Sequence, residues 1–393
     1  MYYKSPLTYV LTFLFIVIIF CNFTVAKEQQ FVLLAKSFKA GSLSFINIHN
    51  PSDTALYNNK LYWPHGPFPA LVILPFLYLT DHFYQAYISA PLIFLTFLIF
   101  YKLARHLNLE HKKSLLLATF FVFGSIYTPT AALPATSYYS QALAACLLIL
   151  SIYEFLKRKG YLLSGIFFAC AVACRFNIIF GTIFFVYLLY RQKQLSLPLL
   201  KFLTPIIVAV TLLGLYNYTR FGSFLDTGYN LQIIAQDPLL RRNVGLFSIK
   251  HIPANLYYML LKGPSPIFEN QSHVLKFPYI TFDSYGLSLF FMSPILFTVF
   301  KTNLKKTLNK ASLMAIFLIL IPIITYYGIG TKQLGYRYAL DFFPFVYLLT
   351  AAAAKNVSYK LLTILVFWGV IITIYFTFMY LFGFEHFFPN APY

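Results

Sequence analysis

Long apolar runs recur along this chain, and the charged residues between them are few and sorted by sign. With 59% of residues apolar and 10% charged, no water-facing domain could hide this much Leu, Ile, Phe and Tyr. Eleven candidate spans are legible, at residues 7–25, 83–103, 114–129, 138–157, 161–174, 177–190, 198–217, 284–300, 312–329, 338–354 and 361–382. Several are shorter than the roughly 20 residues that cross a hydrocarbon core of about 30 Å. The expected fold is an all-α polytopic integral membrane protein of about eleven transmembrane helices, with an interfacial helix on the outer side after the first span.

Charge sets the orientation. With Met1 inside, the internal segments collect more than half of the 30 Lys and Arg residues. Among them are Lys102, Arg105, Lys112, Lys113, Lys157, Arg158, Lys159, Arg191, Lys301, Lys305, Lys306 and Lys310, all in short loops. This is the positive-inside pattern. Of the 11 acids only Glu110 and Glu154 fall inside. The net charge of +19 then reflects topology and anionic lipid headgroups, and no nucleic acid is expected as a partner. The N-terminus is expected in the cytoplasm and the C-terminus outside, in a cell-membrane protein.

Two stretches test this count. One helix over 161–190 would put Lys157–Lys159 and Arg191 on opposite sides and bury Arg175 near the bilayer centre, at about 2.5–3.5 kcal/mol. A hairpin with Arg175 at its outer tip avoids both. Residues 67–80 are apolar but carry Pro67, Pro69 and Pro75, and read as an interfacial or re-entrant helix outside. The first run, with Lys4 ahead of it and Ala26 after it, also reads as a removable signal peptide.

Nothing divides the chain, so residues 1–382 read as one integral domain with outer segments 26–82, 218–283 and 329–337, followed by a short tail, 383–393. Cys21, Cys146, Cys170 and Cys174 lie in apolar runs and read as packing residues. The cytoplasmic loops carry no glycine-rich phosphate loop and no carboxylate pair, which leaves the outer segments as the place for a reaction centre.

Glu28 directly follows the first span. Phe31, Leu34, Ala35 and Phe38 then fall on one helical face, opposite Gln30, Lys36, Ser37 and Lys39, so that run should lie along the membrane surface. A carboxylate at the bilayer edge can take a proton from a hydroxyl, bind a metal, or simply end a helix in solvent. Asp53, Lys60, Tyr62, Trp63 and His65 follow. Aromatic rings mixed with polar groups suit a sugar, and equally suit an interfacial belt. Arg220, at the mouth of the seventh run, can neutralise phosphate or snorkel to the surface.

The most unusual stretch is Lys332 to Pro344. Tyr336, Arg337 and Asp341 stand there beside Lys332, and an acid near the end of a span is expensive unless paired. An Arg337–Asp341 bridge, four residues apart, is the bland expectation. A lipid phosphate held by Arg337 and Lys332 is the functional one.

This layout resembles the GT-C superfamily of membrane glycosyltransferases, which includes protein mannosyltransferases and aminoarabinose transferases. The resemblance rests on Glu28 after the first span, the surface helix, and the blocks Tyr57–Lys60, Tyr62–Pro69, Asn217–Ser223 and Gly335–Asp341. It implies inverting transfer of a sugar from a polyprenyl-phosphate donor to a glycan, lipid or protein acceptor outside, with Glu28 as base or metal ligand. Many members carry an Asp there, often beside a second acid, whereas Lys27 and Gln29 flank Glu28. A divalent metal is compatible with the sequence but not required by it. The rival readings are a lipid-linked sugar translocase and a structural subunit of an envelope-assembly complex.

Overall fold

Helix makes up 67% of the computed structural model of the chain. The structure describes residues 13, 15–17, 20, 29–133, 137–269, 273–330 and 333–381. The principal helices, in chain order, are α1 (Gln30–Lys39), α2 (Phe68–Leu77), α3 (Ala86–His106), α4 (His111–Phe123), α5 (Tyr138–Tyr153), α6 (Tyr161–Cys174), α7 (Thr182–Arg191), α8 (Leu197–Phe221), α9 (Thr307–Thr325), α10 (Phe343–Ala354) and α11 (Tyr359–Leu381). Two antiparallel hairpins, β1 (Ala55–Tyr57) with β2 (Lys60–Tyr62) and β3 (Ser265–Phe268) with β4 (Leu275–Thr281), and several shorter helices and 3-10 turns make up the rest of the described elements.

The described chain is mostly helical, as a polytopic membrane protein would be. Among the described residues five helices are long and apolar enough to cross a bilayer: α3, α5 with its π-helical continuation to Arg158, α8, α9 and α11. The other expected spans within the described residues are shorter or broken, so length alone does not give eleven crossings. The run 284–300 is a four-residue helix, Leu289–Met292, followed by a 3-10 helix, Pro294–Lys301. Pro294 has no N–H to continue the first ladder. The run 114–129 stops at Phe123 and restarts at Tyr127. Between them Gly124 meets α11, where a Cβ on Gly369 would stand 2.6 Å from the Gly124 carbonyl oxygen. Such backbone contact needs residues this small. The first run falls almost wholly outside the described residues, as does the tail.

Burial ranks the helices. In α5 and its continuation 83% of the apolar window is buried, against 11% in α8. The centre is therefore α5, packed on α6 and α3, while α8 lies outside α6 with its apolar side free to meet lipid.

The stretch 161–190 does turn back on itself. α6 ends at Cys174, Arg175 is extended at φ −142°, and a 3-10 helix, Phe176–Gly181, leads into α7. The far ends of the two arms meet, because Tyr161 Oη donates to Gln194 Oε1 at 2.7 Å. Arg175 thus marks one end of the bundle and Arg191 the other.

At the Arg175 end, α1 packs on α2, and Lys39 Nζ donates to the Leu77 carbonyl at 2.8 Å, covering an open end of α2. One expectation for α1 needs correction. Gln30 and Ser37, assigned to its polar face, are both buried. Ser37 is accommodated because its Oγ donates to the Leu33 carbonyl at 3.0 Å and accepts from the Ile46 N–H at 3.2 Å.

Candidate functional site

The site is assembled at the Arg175 end from the long segments between helices and the starts of two helices. The β1–β2 hairpin turns on Asn58 and Asn59, both left-handed at φ 49° and 57°, as a tight hairpin turn requires. Its second strand delivers Trp63, which is fully buried against Phe31 at 5.7 Å and Phe45 at 6.1 Å between ring centres. His65 follows, tilted against Trp63 at 4.8 Å, with its Nδ1 2.9 Å from the Tyr229 hydroxyl. Gly66 then lies so close to the end of α6 that a Cβ there would stand 2.0 Å from the Ala173 carbonyl oxygen. That approach holds the His65 loop against Arg175.

Arg175 donates from Nε and Nη2 to the two carboxylate oxygens of Asp341, at 3.1 and 3.0 Å. The pair is buried, with 10% and 1% of its side chains exposed. It replaces the Arg337–Asp341 bridge expected from spacing. Residues Arg337–Asp341 form a 3-10 helix, with three residues per turn. Side chains four apart then diverge, and Asp341 turns to the hairpin tip instead.

Arg337 is left with neutral partners. Its Nη1 donates to Ser137 Oγ at 2.8 Å and Gln141 Oε1 at 3.2 Å, and its guanidinium lies over the rings of Tyr138 and Tyr338 at 4.5 and 5.0 Å. Only 7% of Arg337 is exposed, and among the described residues no carboxylate pairs with it. Its Nε has no hydrogen-bond partner there, nor does Nε2 of Gln141, whose Oε1 accepts from Arg337; the Tyr139 hydroxyl and Trp63 Nε1, both on rings that meet Phe31, lack one too. Each of these four atoms can donate. A buried donor without an acceptor costs about 1–3 kcal/mol, so the Arg337–Gln141 pair has capacity for a ligand with acceptors.

His65 reports the same positive field. Burial first, then the charges of Arg175 and Arg337, lower its pKa to about 3, so the imidazole is neutral. Among the described residues no three His, Cys, Asp or Glu side chains gather as a metal site would require.

The other expected residues are distributed as follows. Arg220 is wrapped by the protein: Nη1 donates to the Trp63 carbonyl at 2.6 Å, Nη2 to Asn217 Oδ1 at 2.8 Å and Nε to the Tyr216 carbonyl at 3.2 Å. Tyr62 packs on Phe221 at 5.3 Å. Lys60 is exposed on the hairpin. Tyr336 is fully buried, its hydroxyl donating to Asn255 Oδ1 at 2.9 Å. Asp53 lies just before β1, its N–H donating to the Ile233 carbonyl at 2.8 Å and its carbonyl accepting from Gln232 Nε2 at 3.1 Å. Glu28 and Lys332 lie outside the described residues.

Sequence reasoning missed Ser137, Tyr138, Gln141 and Tyr229 as members of the site and gave Arg175 only a topological role. Ser137 and Gln141, one helical turn apart at the start of an apolar run, are the one local signal that could have pointed to them. No protein-family model, curated protein or solved structure matches the chain.

Proposed function

We propose that this protein is an inverting glycosyltransferase that moves a sugar from a polyprenyl-phosphate carrier to an acceptor outside the cell membrane. The observation that carries this reading is Arg337, a buried guanidinium with only neutral partners among donors that lack acceptors. A lipid phosphate brings both the negative charge and the oxygen acceptors that are wanting. In the reaction a base takes the proton of the acceptor hydroxyl, and that oxygen attacks the anomeric carbon. The bond from this carbon to the phosphate oxygen breaks, and its electron pair leaves on the phosphate. Arg337 stabilises that developing charge.

Glu28, with Asp53, is the base in this scheme, and Lys332 joins Arg337 at the phosphate. Trp63 contributes the aromatic ring for the sugar, while Tyr62, packed on Phe221 in a separate cluster, takes no part. Arg220 supports Trp63 through its carbonyl and takes no phosphate. The accompanying topology has eleven crossings, a cytoplasmic N-terminus and an extracytoplasmic C-terminus.

The test is Arg337→Gln, assayed for binding of a polyprenyl-phosphate sugar and for transfer. Donor affinity should fall about 10- to 100-fold, the worth of a charge-assisted hydrogen bond, with acceptor affinity retained. Equal losses for donor and acceptor would remove Arg337 from the phosphate. Glu28→Gln should abolish turnover, and unchanged turnover rules it out as the base.

A second reading, a lipid-linked sugar translocase, draws support from the broken apolar runs. The runs 114–129 and 284–300 are each interrupted within their length, and interrupted helices are common in transporters. Purified protein that flips a lipid-linked sugar in liposomes but transfers none would establish that alternative.

A further inference from the structure

A groove lies at the end of the bundle away from Arg337, with no part in the chemistry above. It runs between α7 and the loop leading into α9 and encloses about 810 Å³. Arg191, Lys305 and Lys310 all reach it, and the Lys310 ammonium stands 5.9 Å from the centre of the Tyr187 ring on its wall. Among the described residues no carboxylate lines it. A second hollow of about 400 Å³ shares Arg191 and Thr307 with the first and continues to His106 at the end of α3. Three cations gathered without a counter-charge repel one another, and an anion between them relieves that repulsion.

The surroundings say what kind of anion. Leu313, at the groove edge, is followed along α9 by Phe317 and Ile321, and the three are exposed by 41%, 61% and 43%. Four-residue steps keep them on one side of the helix over about 12 Å. The track starts at the cationic hollow and runs along a bilayer-crossing helix towards the membrane interior. A free anion would use the cationic end alone. A ligand with a charged head and an apolar chain uses both.

We propose that this groove binds an anionic phospholipid, its phosphodiester headgroup between Arg191, Lys305 and Lys310 and one acyl chain along Leu313, Phe317 and Ile321. The proposal stands apart from sugar transfer and survives if that reading fails.

The test is native mass spectrometry of the delipidated full chain in detergent, titrated with phosphatidylglycerol and with phosphatidylcholine of the same acyl chains. The wild type should retain phosphatidylglycerol preferentially. R191Q/K305Q/K310Q should lose this affinity roughly a hundredfold, from about fivefold per cation near a membrane surface. K102Q/K112Q/K360Q removes the same charge from exposed side chains outside the groove and should retain it. Equal loss in both variants overturns the proposal, because attraction is then diffuse. Displacement of the lipid by millimolar inorganic phosphate also overturns it, since the site would then hold a free anion. L313S/F317S should weaken lipid retention further, and unchanged retention removes the acyl track. All the substituted side chains are exposed, and thermal unfolding of each variant confirms that the fold is kept.

Discussion

Arg220 and Arg337 lie at the same end of the molecule, 4% and 7% exposed, yet their surroundings differ in kind. Around Arg220 the protein supplies three acceptors, two of them backbone carbonyls, and the rings of Tyr216 and Phe221 at 3.8 and 4.6 Å. Around Arg337 it supplies two neutral side chains, and leaves Nε without a partner among the described residues. The first arginine closes a structural joint between α8 and the Trp63 strand. The second has donor capacity to spare, which a binding site needs. Arg175 is a third case, with its charge cancelled by Asp341. Burial of a cation alone therefore says little about function, and the completeness of its acceptors says much.

The sharpest way to break this contrast is to unpair Arg175. Asp341→Asn should destabilise the protein by about 3–5 kcal/mol, because it leaves a buried guanidinium uncompensated. Arg337→Gln, which removes a charge that has no counter-ion, should cost less than about 1 kcal/mol. Thermal unfolding in detergent measures both, and equal losses would erase the distinction between a paired and a free charge. Arg220→Ala should cost roughly 2–3 kcal/mol in stability, since it strips a partner from the buried Trp63 carbonyl. Donor affinity measured on the folded fraction should be unchanged in that variant, and a selective loss of donor binding would make Arg220 a ligand residue after all.

Gly66→Ala tests the frame that presses the His65 loop against α6. The added methyl meets backbone, so overpacking of about 1–3 kcal/mol is expected in the same unfolding measurement. A small effect, comparable to that of Arg337→Gln, concerns pH. His65 titrates near 3 in the fold and near 6.5 when unfolded, so it is neutral in both states at pH 7. As the pH falls from about 6.5 towards 3, the unfolded chain gains a proton that the folded chain refuses, and stability declines. Between pH 6.5 and 5.5 the wild type should lose up to about 1 kcal/mol more than His65→Gln. Parallel pH profiles would show that the fold does not hold His65 below its ordinary range.

The local parts of this architecture were legible in the chain. The apolar runs gave α3, α5, α8, α9 and α11, and the proline-bearing stretch gave α2 as a short helix. The return at Arg175 followed from the cost of burying a cation at mid-bilayer. The runs 114–129 and 284–300 misled because hydropathy does not see a glycine that lets two backbones touch, or a proline after a four-residue helix. The hairpin between Ala55 and Tyr62 carried its signal in Asn58 and Asn59. In the site, Trp63, His65 and Arg337 were visible as polar or aromatic residues at the bilayer edge. The companions of Arg337 were not, because Ser137 and Gln141 come from a segment 200 and 196 residues earlier in the chain.

Composition and charge order by themselves determined a helical membrane protein whose polar chemistry gathers at the ends of its spans. A bilayer penalises every unpaired backbone group and every stray charge, and that penalty is written residue by residue. Only the tertiary structure decided which arginine is neutralised, which is clamped and which is left open. Those outcomes depend on acceptors brought in from distant segments, and on a 3-10 turn that sends Asp341 away from its neighbour in sequence to Arg175.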